Sequence, residues 1–248
     1  MEIKRCRDLT LIERAGQPNL VIACDSCGGI GEKPQDQIKV PAEVVGYFTA
    51  RVSLMEVMSV GARVMTVINT LSVEREPTGE KMIKGIQKMI EEVKLPITAL
   101  NGSTEENVVT CQTAMGITVI GEVERESIKI GCSKPGDLIV ALGTPKVGNE
   151  IKLPIDDEIC SIKDFQALVK MKNVKDIHPI GSKGMYYEAQ LLASLNHCEF
   201  KSREATGVDL KKSAGPATAV IFSVSKEQLP TVESQLQQQV KVIGSLEN

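Results

Sequence analysis

Hydrophobic and polar positions along this chain change their spacing several times, and each change predicts an element. Residues 9–13 and 20–24 are short apolar runs separated by the turn residues Gly16, Gln17, Pro18 and Asn19, and read as two strands. A glycine-rich stretch follows and runs to Val40. Pro41 is well placed to open a helix over 42–60, where Val44, Phe48, Val52 and Met55 recur at helical spacing and most other faces are apolar too. Residues 64–71 read as a strand. Residues 79–94 read as an amphipathic helix whose stripe is Met82, Ile83, Ile86, Met89, Ile90 and Val93. Short strands are expected at 97–100, ending in a polar loop from Asn101 to Asn107, and at 116–121.

The turn-rich run Cys132-Ser-Lys-Pro-Gly-Asp137 then precedes a strand at 138–142. The domain boundary is placed just ahead of it, giving domains at 1–128 and 129–248. The second half predicts a helix at 162–170, with Ser161 and Asp164 at capping-box spacing. A strand at 174–180, a helix at 185–196, a strand at 217–224 and a closing helix at 226–240 follow. The fold class expected is α/β (α+β) with two domains.

Composition narrows the class. The 248 residues are 42% hydrophobic and 25% charged, as in an ordinary soluble protein. A net charge of -3 argues against a nucleic-acid binder, and the absence of Trp, with three Tyr and four Phe, removes the aromatic platforms that stack bases. No apolar run approaches the ~20 residues that cross a bilayer, and the basic N-terminal residues lead into no apolar stretch, so neither membrane span nor signal peptide is expected. Seven scattered cysteines suit a reducing compartment, and the expected location is cytoplasmic.

Candidate chemistry begins where the second strand delivers Asp25 into a loop containing Gly28, Gly29 and Gly31, with Lys33 beyond. A carboxylate, a glycine-rich backbone and a lysine in that order suit a phosphate and its metal. Glu56 is an acid on an apolar helix. It either pairs with Arg51 or Arg63 or faces a metal beside Asp25, because a buried acid needs a partner. Cys24 and Cys27 form a C-x-x-C without the second pair a zinc site wants, and read as packing residues. The loop Gly181-Ser-Lys-Gly184 lies before a helix, where free N–H groups suit an anion and a plain turn is the other reading. Glu105 and Glu106 could supply a further carboxylate. Two histidines leave little support for a nucleophile–histidine mechanism.

The order of these motifs resembles one superfamily: aminoimidazole-ribonucleotide synthase, thiamine-monophosphate kinase, selenophosphate synthetase and a hydrogenase maturation factor. The resemblance rests on the strand ending in Asp25, the glycine-rich loop, Val45-Gly46, Gly61-Ala62, Thr118–Gly121, Lys134–Asp137 and Lys211–Pro216. The run from Ala23 to Lys33, with Asn101–Glu106, is most similar to the α-ribazole kinases, which act in salvage of the lower-ligand nucleoside of cobamides. The resemblance implies an N-terminal mixed sheet that pairs in a homodimer, a C-terminal α/β domain, and ATP with Mg²⁺ at the interface. It implies an ATP-dependent nucleoside kinase that turns α-ribazole into α-ribazole 5′-phosphate. The alternatives it leaves are a synthase or dehydratase acting on an amide or carbonyl oxygen, and a non-catalytic nucleotide-binding maturation protein.

By position, the expected metal ligands are Asp25, Glu56, Glu105 and Glu106. The expected catalytic residues are Asp25, Lys33 and Lys183. The expected nucleotide contacts are Gly28, Gly29, Gly31, Asn101, Gly102, Ser103, Thr104, Ser182 and Gly184. Met55, Ser103 and Lys183 depart from the family pattern: Met55 stands in place of a polar residue, Ser103 and Lys183 in place of acids.

Overall fold

A computed structural model of the chain describes residues 1–153, 156–204 and 206–248. It divides into two compact units, Met1–Met58 with Ala62–Glu126, and Ser59–Gly61 with Ser127–Asn248. Among the described residues no helix is long and apolar enough to cross a membrane.

The first unit is a six-stranded sheet covered by helices on one face. Its elements are β1 (Glu2–Cys6), β2 (Leu9–Glu13), β3 (Asn19–Gly28), the two-residue strands β4 (Ile30–Gly31) and β5 (Ile38–Lys39), α1 (Ala42–Ser59), β6 (Arg63–Leu71), α2 (Glu80–Glu92), β7 (Leu100–Thr104) and β8 (Ala114–Val123). The sheet order is β1-β2-β3-β8-β6-β7. Every neighbouring pair is antiparallel except β6 and β7. Strand alternation decides the faces. Val21, Ala23, Val67, Ile117 and Val119 are buried toward the helices, where the Ser53 hydroxyl of α1 donates to the Ile117 carbonyl. Ile12, Leu20, Ile22, Ile68 and Ile120 lie on the other face and are only half-buried.

Helices α1 and α2 cross backbone against backbone. A Cβ on Gly46 would lie 2.0 Å from the Met82 carbonyl oxygen, and one on Gly85 would lie 1.9 Å from that of Glu43. Glycine is required at both positions because the crossing leaves no side-chain layer. Helix α1 is buried on nearly all sides, as its composition predicts. Its most buried line, however, runs through Val45, Ala50, Leu54, Met55 and Val57, while Val44, Phe48 and Val52 are half-buried.

The second unit is a five-stranded antiparallel sheet in the order β10-β12-β9-β13-β11. Its elements are β9 (Leu138–Leu142), α3 (Ile162–Lys170), β10 (Val174–Pro179), α4 (Gly184–Leu195), β11 (Glu199–Ser202), β12 (Val220–Val224), the short α5 (Leu229–Glu233) and β13 (Val240–Glu247). All five residues of β12 are buried, so both sheet faces are covered. Met185, Ala189 and Leu192 of α4 pack with Ile139, Ile221 and Ile243 on one of them. Ser161 caps α3 by accepting from the Asp164 backbone N–H at 3.0 Å. The Asp164 carboxylate itself turns to the Gln237 and Gln238 backbone N–H groups.

Three expectations are corrected. The closing segment is a short helix followed by the strand Val240–Glu247, not a helix over 226–240: the Gln237 and Gln238 N–H groups bond the Asp164 carboxylate instead of helical carbonyls, and β13 pairs with both β9 and β11. Residues 97–100 form a helical turn at Ile97–Ala99, and the strand begins only at Leu100. The segment from Asn101 to Thr104 is therefore strand rather than loop. β1 carries four exposed residues out of five and gave no alternating pattern to read.

Candidate functional site

The centre of the site lies at one corner of the first unit, where β2, β3 and α1 meet. β3 alternates Val21, Ala23, Asp25 toward the helices, so the carboxylate continues the buried face just beyond the last apolar residue. Burial pushes the Asp25 carboxyl up to about 6; the Ser26 backbone N–H opposes the rise and the charge of Asp8 adds to it. Glu56, on α1, is 7% exposed. Its carboxyl is likewise raised by burial, against the pull of Arg7 and with repulsion from Asp8 and Asp25. The structure thus brings Asp25 and Glu56 together, and adds two residues that sequence reasoning missed, Arg7 and Asp8. Arg7 forms an ion pair with Glu56 in which the side chains are 4% and 10% exposed. Of the partners expected for Glu56, the Arg63 guanidinium pairs with Glu122 instead.

The glycine-rich loop is packed rather than loose. Asp36, 5% exposed, accepts from the backbone N–H of Lys33 at 2.8 Å, the backbone N–H of Thr113 at 2.7 Å and the Thr113 hydroxyl at 2.7 Å. Burial alone would raise the Asp36 carboxyl, but these hydrogen bonds win and hold it below its ordinary value. Gly29 donates to the Thr113 carbonyl, while Gln37 and Ile38 donate back to the Gly29 carbonyl. Gly31 has φ +150, and a Cβ there would stand 2.4 Å from the Thr113 hydroxyl. The glycines serve a tight knot closed by Asp36, and the signal for it was the Lys33-Pro-Gln-Asp36 turn.

Lys33 extends from this knot to Glu74 at 2.6 Å and to the Thr110 carbonyl at 3.1 Å. Burial would raise the Glu74 carboxyl, but the Lys33 ammonium and the Thr78 hydroxyl hold it down at about 2. Lys33 is therefore already neutralised by a carboxylate, and a phosphate would have to compete for it.

Other expected residues stand apart. Asn101 and Ser103 pair with Ile68 and Thr70 and so lie on the sheet face opposite Asp25. Gly102 lies on the helix side, and a Cβ there would meet the Asn69 side chain at 2.4 Å. The Thr104 hydroxyl donates to Glu106 at 2.6 Å. Glu106 also accepts from the Arg75 backbone, 31 residues earlier, while Glu105 accepts from the Asn107 and Val108 backbones and closes a local turn. In the second unit, the Leu210 carbonyl accepts from the Tyr186 N–H at 2.8 Å, and Gly181 accepts from Gly184. The Gly184 and Tyr186 N–H groups at the start of α4 are thus bonded within the chain. Lys183 lies over the Tyr187 ring, 4.2 Å from its centre. Cys24 and Cys27, three apart on a strand, face opposite sides, so the C-x-x-C cannot chelate.

Among the described residues no three histidine, cysteine or acidic side chains stand together in a way that could hold a metal ion. The raised carboxyl of Asp25 nevertheless marks a place where a cation would be favoured. Magnesium commonly takes one or two carboxylates and completes its shell with phosphate and water, and Asp25 with its neighbour Asp8 fits that smaller requirement.

Residues 8–123 match the family described as AIR synthase related protein, N-terminal domain. An uncharacterised protein of Methanocaldococcus jannaschii is 29% identical over 96 residues, 38% of this chain, and the match spans only about a third, 31%, of that relative's length. Among solved structures, the thiamine-monophosphate kinase of Stenotrophomonas maltophilia superposes with a TM-score of 0.67 at 17% identity, covering 99% of this chain and 89% of that one. The Aquifex aeolicus thiamine monophosphate kinase gives 0.69 at 16% identity, covering 99% and 90%. A hydrogenase maturation protein HypE, solved in complex with ATP, gives 0.68 at 15% identity, covering 96% and 78%. Residues 8–123 thus resemble the AIR synthase related N-terminal domain, and the chain shares the fold of the thiamine-monophosphate kinases and of the hydrogenase maturation protein HypE.

Proposed function

We propose that the protein is an ATP- and Mg²⁺-dependent phosphotransferase that acts on a nucleoside hydroxyl, with α-ribazole as acceptor and α-ribazole 5′-phosphate as product. The observation that carries the reading is the likeness to thiamine-monophosphate kinases over 99% of this chain, joined to the strand-end acid Asp25 with Asp8 beside it, where a phosphate-bound metal would be met. The narrower acceptor rests on the run from Ala23 to Lys33 and on Asn101–Glu106, which resemble the α-ribazole kinases. The first unit would bind ATP and Mg²⁺ and form the dimer.

In this reading Asp25 holds the cation side of the site, with Asp8 beside it, and Lys33 exchanges Glu74 for phosphate oxygens. Magnesium, when bound, would neutralise charge on the transferred phosphoryl group. Transfer of this kind depends on positioning and charge compensation, so no covalent nucleophile is needed. Lys183, at the start of α4, would offer its charge to a phosphate oxygen. The homodimer is supported by the open sheet face, where Ile12, Leu20, Ile22, Ile68 and Ile120 are half-buried and Ile3 is 62% exposed.

The test is incubation of the purified protein with ATP, Mg²⁺ and α-ribazole, followed by mass spectrometry of the nucleoside. A mass gain of one phosphoryl group supports the reading. Intact ATP binding with no phosphorylated product removes it. Release of inorganic phosphate alone would favour the second reading, an ATP-driven activation chemistry, for which the likeness to HypE speaks.

A further inference from the structure

Two local rules are broken at one residue. Arg7 occupies the first place of the two-residue turn between β1 and β2 with φ +55. A two-residue hairpin favours glycine there, and a larger residue stores backbone strain. Its long charged side chain would ordinarily reach into water from such a turn. Instead it is 4% exposed and ion-paired to Glu56, 49 residues further along. Two residues past the Leu9–Ala23 pair on the adjoining strands stand Arg7 and Asp25, so the turn delivers the guanidinium at the level of the acid.

Packing alone does not account for this. A buried ion pair offsets its desolvation only with good geometry, and apolar side chains of similar size stabilise a fold at least as well. What the strained turn achieves is a fixed positive charge on Glu56, an acid that the charges of Asp8 and Asp25 repel. We propose that Arg7 is a resident cation of the site: its guanidinium takes one cation position, Glu56 is its counter-ion rather than a metal ligand, and Asp25 with Asp8 is left to meet the metal. The inference rests on the Mg²⁺-dependent reading above and assigns Arg7 as a positioning residue.

The test is binding of Mn²⁺ alone, followed by electron paramagnetic resonance of the free ion, with the folded state of each variant checked by circular dichroism. No nucleotide or acceptor is present, so failure of the kinase reading would leave this measurement intact. Arg7→Gln should bind Mn²⁺ at least about tenfold more tightly than wild type, because a full positive charge has been removed from Glu56 and from beside Asp8. Glu56→Gln should bind more weakly, since the Arg7 charge is then left without its counter-ion. The double variant Arg7→Gln/Glu56→Gln restores the charge balance and should return close to wild type. If Arg7→Gln binds no more tightly, or the double variant is as weak as Glu56→Gln, the proposal is overturned. Should Arg7→Gln alone fail to fold, the double variant decides.

Discussion

Replacing Asp36 with alanine removes the acceptor that closes the glycine loop. Three donors lose their partner: the Lys33 N–H, and the N–H and hydroxyl of Thr113, a residue with no exposed surface. Hydrogen bonds to a charged acceptor contribute about 1.5–3 kcal/mol each, and a buried donor left unmade costs about 1–3 kcal/mol. The Lys33 amide can be rehydrated, so the two Thr113 donors dominate, and the expected loss is about 3–4 kcal/mol. Against a domain stability of about 5–15 kcal/mol that is a large fraction.

The pH dependence follows from the sign of the shift. The Asp36 carboxyl is depressed in the folded state, so its contribution is present above the ordinary value of 3.8 and is lost as pH falls through the lower folded value. Wild type and Asp36→Ala should therefore differ fully at pH 7 and converge in strong acid. The assay is urea unfolding followed by circular dichroism, with hydrogen exchange of peptides covering residues 29–40 and 108–116 read by mass spectrometry. Exchange should accelerate in both peptides, because the knot joins them. A loss under about 1 kcal/mol, or faster exchange in only one of the two peptides, would refute the reasoning.

Three more predictions follow from the same physics. Gly85→Ala places a methyl 1.9 Å from the Glu43 carbonyl oxygen, so α1 and α2 must separate, and the variant should lose roughly 3 kcal/mol or fail to accumulate as folded protein; a melting temperature equal to wild type would contradict the crossing. The Asp25 carboxyl is raised from 3.8 to about 6, so its folding contribution is fully present below 3.8 and is lost as pH rises through about 6. Asp25→Asn should therefore melt higher than wild type at pH 8, lose that advantage near pH 4, and show no Mg²⁺-dependent turnover; equal melting curves at pH 8 would sink the assignment. Ile120→Glu, on the open sheet face, should halve the mass measured by light scattering if the face pairs in a homodimer, with the circular dichroism spectrum unchanged.

The regular elements were legible where one period dominates. The α2 stripe and the Ser161 cap appear where the sequence places them, since each depends on residues a few positions apart. Asp25 and Glu56 were also legible, one as an acid ending an apolar strand and the other as an acid on an apolar helix. Their partners were not. Arg7 lies 49 positions from Glu56, and Asp36 lies 77 from Thr113, and no local pattern connects such pairs. The segment from Asn101 to Ser103 was misplaced for a different reason: asparagine, glycine and serine suggest a loop, yet parallel pairing with β6 makes them a strand whose alternation sends Asn101 and Ser103 away from Asp25. The early end of the closing helix was hidden because a glutamine-rich run favours helix, while the bonds from Gln237 and Gln238 to Asp164 span 73 and 74 positions and follow no local pattern.

The position of β8 has a consequence for how the chain is made. This strand is the last of the first unit in sequence but sits between β3 and β6, pairing with both over most of its length. Asn19 meets Val123, so closure of the sheet joins residues about a hundred positions apart. During synthesis, β1–β2–β3 and β6–β7 must wait as two separate halves with apolar faces exposed until β8 has left the ribosome. Folding of this unit is therefore a late, all-or-none event, and a nascent chain ending before residue 114 should be a substrate for chaperones rather than a partly built domain.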